Sequence, residues 1–114
     1  LLNSFIEKPS SNKISELQPY QKNIELKAIV IRKVEQFKTK SNNIITKALI
    51  ADASGSMFAN FFDEIGESIS EGDILYINNA YMTLYKDSPV LYQGKQCIVL
   101  KIGEFFFPFK ISPN

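Results

Sequence analysis

Between Gly55 and Tyr85 the hydrophobic period of this chain changes twice, and few folds accommodate such a change. "GSMFANFF" sets Met57, Ala59 and Phe61 against Phe58, Asn60 and Phe62. That is the two-residue alternation of a strand with large groups on both faces. "DEIGESISEG" then places Ile65 and Ile69 four residues apart, on one face of a short acidic helix. Asp63 and Glu64 are adjacent and point to different sides, so they read as a solvated helix start rather than an acid/base pair. Gly72 is expected to end the helix as a C-cap. "DILYINNAYMTLY" returns to strand, with a break near Asn78–Asn79.

The flanking segments supply the remaining elements. "KISELQPYQKN" reads as a helical turn closed by Pro19. Ile24, Leu26, Ala28 and Val30 alternate at the start of "IELKAIVIRKVEQF", a long strand. "KTKSNN" is a basic loop able to close a hairpin into a second strand, "IITKALIAD", and "ASG" turns the chain into the third. "KDSP" makes a tight turn into "VLYQGKQCIVLKIGEF", a fifth strand with a bulge or bend at Gly94. Strand, strand, strand, short helix, strand, strand is the layout of an all-β fold: a five-stranded OB-fold Greek-key barrel with a helix between strands 3 and 4. A long, bent first strand suits a small closed barrel, whose strands must curl. The expected domain covers 14–105, after an N-terminal tail (1–13) and before an extended C-terminal segment (106–114).

Composition removes whole classes of function. The chain has 114 residues, enough for one core, and no apolar run near the roughly 20 residues a membrane helix needs, so no membrane partner is expected. "LLNSFIEKPSSNK" is too broken for a signal-peptide core, which favours cytosol or nucleus. There is no histidine and a single cysteine, Cys97. An internal disulfide, a thiolate zinc site and a histidine-assisted nucleophile are therefore out of reach. No P-loop or G-x-G-x-x-G is present. The expectation is a non-enzyme with no metal, no cofactor and no small-molecule substrate. Cys97, in "CIVL", reads as a buried structural thiol.

Net charge is only +1, but it is segregated. From Lys8 to Lys47 there are nine Lys/Arg against three acids. From Ala48 to Tyr85 there are six acids and no Lys or Arg. Two readings stay open: scattered solvated lysines, or one basic groove with an acidic back. Tyr76, Tyr81, Tyr85 and Tyr92 crowd into one stretch with few large aliphatics beside the last three. Taken singly, each is a half-buried strand residue with a wet hydroxyl.

"LIADASGSMFANFFDEIGESISEGDIL", "AYMTLYK", "VLYQGK" and "LKIGEF" together resemble the SOSS-B family of small eukaryotic single-stranded-DNA-binding proteins, over about Ile14 to Phe105. The resemblance implies an OB-fold that binds single-stranded DNA with little sequence preference, in a nuclear DNA-damage role. It implies four stacking rings, which fall on Phe62, Tyr81, Tyr85 and Tyr92. "KTK" matches the family's basic hairpin loop, so Lys38 and Lys40 join Lys47, Lys86 and Lys95 as phosphate-binding candidates. Phe62 departs from the family's Trp, Thr46 from its Arg, and Ala80 from its Gly. The resemblance also implies a partner, a helical-repeat scaffold subunit shared with the Integrator machinery, met by Glu104 and Phe105.

The physics of the residues agrees with stacking. Every base has a π-face, and lysines along the groove release counterions from phosphates. Tyr81 and Tyr85 are an even number of residues apart and share a strand face. Tyr76 and Tyr20 are assigned to structure, Phe58 and Phe61 to core or sheet packing. "GEFFFPF" is read either as a docking patch or as Phe105 and Phe107 closing the barrel bottom. An RNA-binding OB domain and a structural OB subunit of a replication-protein-like complex remain alternatives.

Overall fold

The computed structural model describes residues 11–105. A 3₁₀ turn, Ile14–Glu16, precedes β1 (Ile24–Lys38), β2 (Ile44–Asp52), β3 (Gly55–Phe62), helix α1 (Asp63–Ser68), β4 (Asp73–Tyr85), β5 (Ser88–Tyr92) and β6 (Ile98–Glu104). The sheet runs β1-β2-β3-β5-β4 and closes because β1 also pairs β4. Every pairing is antiparallel except β3 with β5.

The alternation read from the sequence is the one that faces inward. Ile24, Leu26, Ala28 and Val30 of β1 meet Met57, Ala59 and Phe61 of β3 in one core with Ile50, Leu75, Ile77 and Leu91. Each of the larger side chains, the alanines apart, contributes about 1.5–3 kcal/mol on burial. β1 curls by shifting register against β2 twice, between Val30 and Arg32 and between Lys33 and Glu35.

α1 lies across one end of the barrel. Gly66 is buried there, and a Cβ on it would sit 2.6 Å from Thr46 Oγ1 and 3.0 Å from the Phe61 carbonyl oxygen. Only a glycine lets the helix approach β2 and β3 this closely. Ile65 packs against the core and Ile69 is buried just past the helix. The helix ends sooner than expected: Ile69 is already extended, so Gly72 is not its C-cap. Gly72, at φ 92, instead turns the chain into β4, its N–H donating to the Val30 carbonyl at 2.8 Å.

Two further expectations change in detail. β4 runs on through Asn78–Asn79, and the expected break is a bulge there, where the register against β1 shifts between Ile24 and Leu26. Asn79 takes φ 66, and β4 passes there from pairing β6 to pairing β5. The expected fifth strand is two strands, because β3 stops beside Tyr92 to enter α1. The chain leaves the ladder at 93–97, where the Cys97 N–H bonds the Gly94 carbonyl at 3.2 Å, and β6 resumes along the same edge of β4.

The helical turn before β1 is held by a carboxylate. Asp52 accepts from the Ile14 N–H (3.0 Å), the Ser54 hydroxyl (2.6 Å) and the Gly55 N–H (3.1 Å). Burial alone would raise this carboxyl, but those bonds outweigh it and hold it below the ordinary value. Asn12, just inside the expected tail, bonds the backbone of Glu25 in β1. The tail before residue 11 and the extended segment after 105 lie outside the described residues.

Candidate functional site

Strand register lines five side chains into one row across the outer surface. Glu35 lies opposite Lys47, Lys47 opposite Asn60, Asn60 beside Tyr92, and Tyr92 opposite Tyr81. The Tyr81 and Tyr92 rings stack at 5.6 Å between centroids with planes 13° apart. A base between them would need about 7 Å, two van der Waals contacts of roughly 3.5 Å each. The two tyrosines therefore support each other, and each offers its outer face. Tyr81 is 39% exposed, and the 93–97 loop runs along its edge, a Cβ on Gly94 falling 3.4 Å from Tyr81 Cε1. Lys95 is the next residue of that loop.

Tyr85 stands at the tip of the β4–β5 hairpin and is 57% exposed. Lys86 (φ 51) and Asp87 (φ 67) both take left-handed backbone, which is what a two-residue hairpin turn requires. The Lys86 ammonium lies 5.4 Å from the Tyr85 ring centroid. Such an exposed cation–π contact is worth about 0.5–1 kcal/mol.

Phe62 lies on the same outer face, two residues along β3 from Asn60, and starts a second row with Ile45 and Phe37. Its N–H donates to Gln93 Oε1 at 2.9 Å, tying the end of β3 to the loop after Tyr92. The four rings picked from the sequence thus share one surface. Lys47 joins it, with Nζ 4.6 Å over the Phe58 ring. Lys40 sits in the β1–β2 turn. Lys38 is different: it pairs with Ile44 on the strand face of Gln36 and Thr46, away from Phe37. Thr46 itself is buried and accepts from Gln36 Nε2 at 3.0 Å, so a cation at that position would miss the groove that Lys47 reaches.

Two residues of this surface were not singled out in the sequence. Phe37 is exposed at the end of β1, and Asn60 is the one polar residue on the outward side of β3 between Phe58 and Phe62. A cleft of about 240 Å³ lies over the row, lined by Phe37, Lys47, Asn60, Tyr85 and Tyr92 among others. For Phe37 the signal was a large ring alternating with Glu35 before a basic turn. For Asn60 it was an amide in a strand otherwise filled with rings.

The remaining candidates separate from this surface. Tyr76 donates to the Glu25 carboxylate, whose bond raises the phenol above its ordinary range, so this tyrosine is structural as expected. Tyr20, assigned to structure, is largely exposed. Phe61 is core, as expected. Cys97 is half-buried against the core, and burial pushes its thiol up, away from reactivity. Asp63 is a tether rather than an acid. It accepts from the Ile44 N–H (2.8 Å) and Asn43 Nδ2 (2.9 Å), and the backbone bond, then the amide, lowers its carboxyl. Glu104 pairs with Lys101, which also reaches Asp73 at 3.3 Å. The Phe105 N–H donates to the Gly72 carbonyl while its ring stands half exposed, and Phe107 lies outside the described residues. Among the described residues no group of His, Cys, Asp and Glu has the makings of a metal site.

No protein-family model matches the chain. The single-stranded DNA binding protein Ssb of Saccharolobus solfataricus is 25% identical over 99 residues, 84% of this chain and 67% of that protein. A domain of replication protein A from Methanococcus maripaludis superposes with a TM-score of 0.65 at 17% identity, over 80% of this chain and 96% of that one. The OB domain of a Thermoplasma acidophilum protein does so at 0.66 and 14% identity, over 87% and 92%. The fold is an OB-fold. In an OB-fold, the sheet face and flanking loops that here carry the two rows are where oligonucleotides and oligosaccharides are held.

Proposed function

We propose that this OB domain binds single-stranded DNA with little sequence preference. The observation that carries the reading is the row Lys47–Asn60–Tyr92–Tyr81, with Tyr85 and Lys86 at one end and Phe62 alongside. Exposed ring faces capture any base at about 1–3 kcal/mol each, and the lysines neutralise phosphates. Lys40 and Lys95, in the two loops flanking the face, extend the phosphate track, and Lys38 contributes from the far side of the hairpin. The likeness to the archaeal Ssb supports the same reading.

The finer part of the proposal concerns context. In a SOSS-like complex the domain would serve DNA repair in the nucleus, held to a helical-repeat scaffold through Glu104 and Phe105. Support comes from the half-exposed Phe105 ring, just past the end of β6, and from the exposed Ile98, Leu100 and Ile102 of that strand.

Fluorescence anisotropy with a labelled dT oligonucleotide at two salt concentrations tests the core of the proposal. Binding weakens as salt rises, and unlabelled poly-U competes worse than poly-dT. A strong poly-U preference would turn the reading to RNA, and absence of binding at low salt would end it. For the scaffold, Phe105→Ala combined with Glu104→Lys should abolish co-purification with a helical-repeat subunit while leaving DNA binding intact.

A further inference from the structure

Asn60 is 9% exposed, and its side-chain oxygen has no hydrogen-bond partner among the described residues. Buried amide oxygens are nearly always paired, so an orphan needs a reason. Packing alone does not supply one. The position is on the outer side of β3, where Phe58 and Phe62 stand and where an apolar residue would fill the same space. The amide forms part of the cleft wall between Lys47 and Tyr92. The terminal torsion of an asparagine is soft, so a donor arriving in the cleft can draw the oxygen to itself.

We infer that Asn60 reads the edge of one nucleobase in an otherwise sequence-blind platform, and that it favours a base with an exocyclic amino group beside an unprotonated ring nitrogen, adenine above all. The inference rests on the single-stranded-DNA reading of the same surface. The amino group projects beyond the ring and reaches the unpaired Oδ1, while Nδ2 donates to the ring nitrogen. That two-point match is the one asparagine makes with adenine. Thymine places a carbonyl oxygen where adenine projects its amino group, and its one donor, N3–H, is set back in the ring between two carbonyls, so it meets Oδ1 only if the base shifts along the cleft. Tyr92, next to Asn60, holds the plane of the base while the amide takes its edge. The cleft is smaller than the roughly 300–1,000 Å³ of drug-sized sites, which suits one ring system rather than a larger ligand.

The experiment walks a single dA through a dT oligonucleotide and measures each affinity by anisotropy. A parallel set carries 2′-deoxynebularine, a purine without the amino group. One position should bind roughly tenfold more tightly with dA than with dT, the scale of a good two-point base contact. The nebularine set should show no such gain. In Asn60→Ala the dA-to-dT affinity ratio at that position should fall to about one, whatever its absolute affinity. Equal gains from dA and nebularine would assign the preference to stacking and overturn the inference, with no variant needed. A flat profile with dT still bound would overturn it and leave the single-stranded-DNA reading standing. No binding to any oligonucleotide would overturn both.

Discussion

The outer surface of the barrel carries two regions rich in apolar side chains, and they differ in what surrounds them. One is the row through Tyr81 and Tyr92, where flat rings alternate with Lys47 and an amide and a cleft opens above. The other is the run of aliphatics on β6, where Ile98, Leu100 and Ile102 stand exposed, with Phe105 following the strand. Rings offer a face to any planar partner and keep a polar tip in water, so mixing them with cations suits a charged, stackable polymer. Branched aliphatics offer only area, which a protein surface can cover and a nucleic acid cannot use well. Strand order reinforces the difference. Tyr92 lies on a strand paired on both sides, by β3 and by β4, whereas among the described residues β6 pairs with β4 alone. The same barrel thus presents an aromatic, cationic platform and an aliphatic margin.

The largest effect should come from breaking the platform. Tyr81→Ala with Tyr92→Ala removes two stacking faces and their mutual support, so DNA affinity should drop by roughly thirtyfold or more, given about 1–3 kcal/mol per stacked base. The triple change Ile98→Ser, Leu100→Ser and Ile102→Ser should leave that affinity alone. Equal losses from both variants would erase the distinction between the regions.

Next in size is a change to the core that both regions share. Gly66→Ala drives a methyl group into Thr46 and should destabilise the fold by about 1–3 kcal/mol in urea unfolding, as overpacking does. Unchanged stability would show that α1 is not seated as tightly as the geometry indicates. A smaller, sharper effect separates the regions by salt. Lys47→Ala should cost a few-fold in affinity and flatten the salt dependence by about one counterion, while Lys38→Ala, on the other hairpin face, does less.

pH should loosen the two regions at opposite ends of the scale. Asp63, which ties the start of β2 beneath the platform, has its carboxyl below the ordinary 3.8. Its contribution is present above that value and is lost as pH falls through the folded value. Lys101 holds β6 and is raised above 10.5 by its bond to Glu104, with Asp73 adding to it. Its contribution is present below 10.5 and is lost as pH rises through the folded value. The difference in Tm between wild type and Asp63→Asn should therefore close in acid, and that for Lys101→Met should close as pH rises into the alkaline range. Smallest of all, Asp87→Gly should stabilise the hairpin by some tenths of a kcal/mol in thermal melts, because glycine takes the φ of 67 without strain.

Much of this molecule was legible locally. The inward alternation of β1 and β3, the helix between β3 and β4, and the tight turn at Lys86–Asp87 are all properties of neighbouring residues. Those neighbours share one backbone period, so the order of elements and the barrel followed from them. Errors arose where local signals compete. Gly72 looked like a helix cap because glycine serves both caps and turns, and the helix stopped at Ser68 once Ile69 had reached the core. The last strand looked continuous because nothing near Gly94 says that its neighbour β3 has ended. Phe37 was not read from the sequence for want of register: its pairing with Ile45 is what sets it on the face of the row, with Lys38 on the other face of β1.

Sequence by itself therefore determined the strand and helix order, the core and a short roster of rings. Only the tertiary structure decided which of those side chains meet. Tyr81 and Tyr92 stack because a two-residue turn sets the β4–β5 register, and that pairing is nearly local. Asn60 reaches Tyr92 through a parallel pairing across 32 positions of chain, which no local period encodes. A strand displaced by one residue would show its other face, so long-range register is the physical reason that the amide, its orphan oxygen and the cleft above it came to light only in three dimensions.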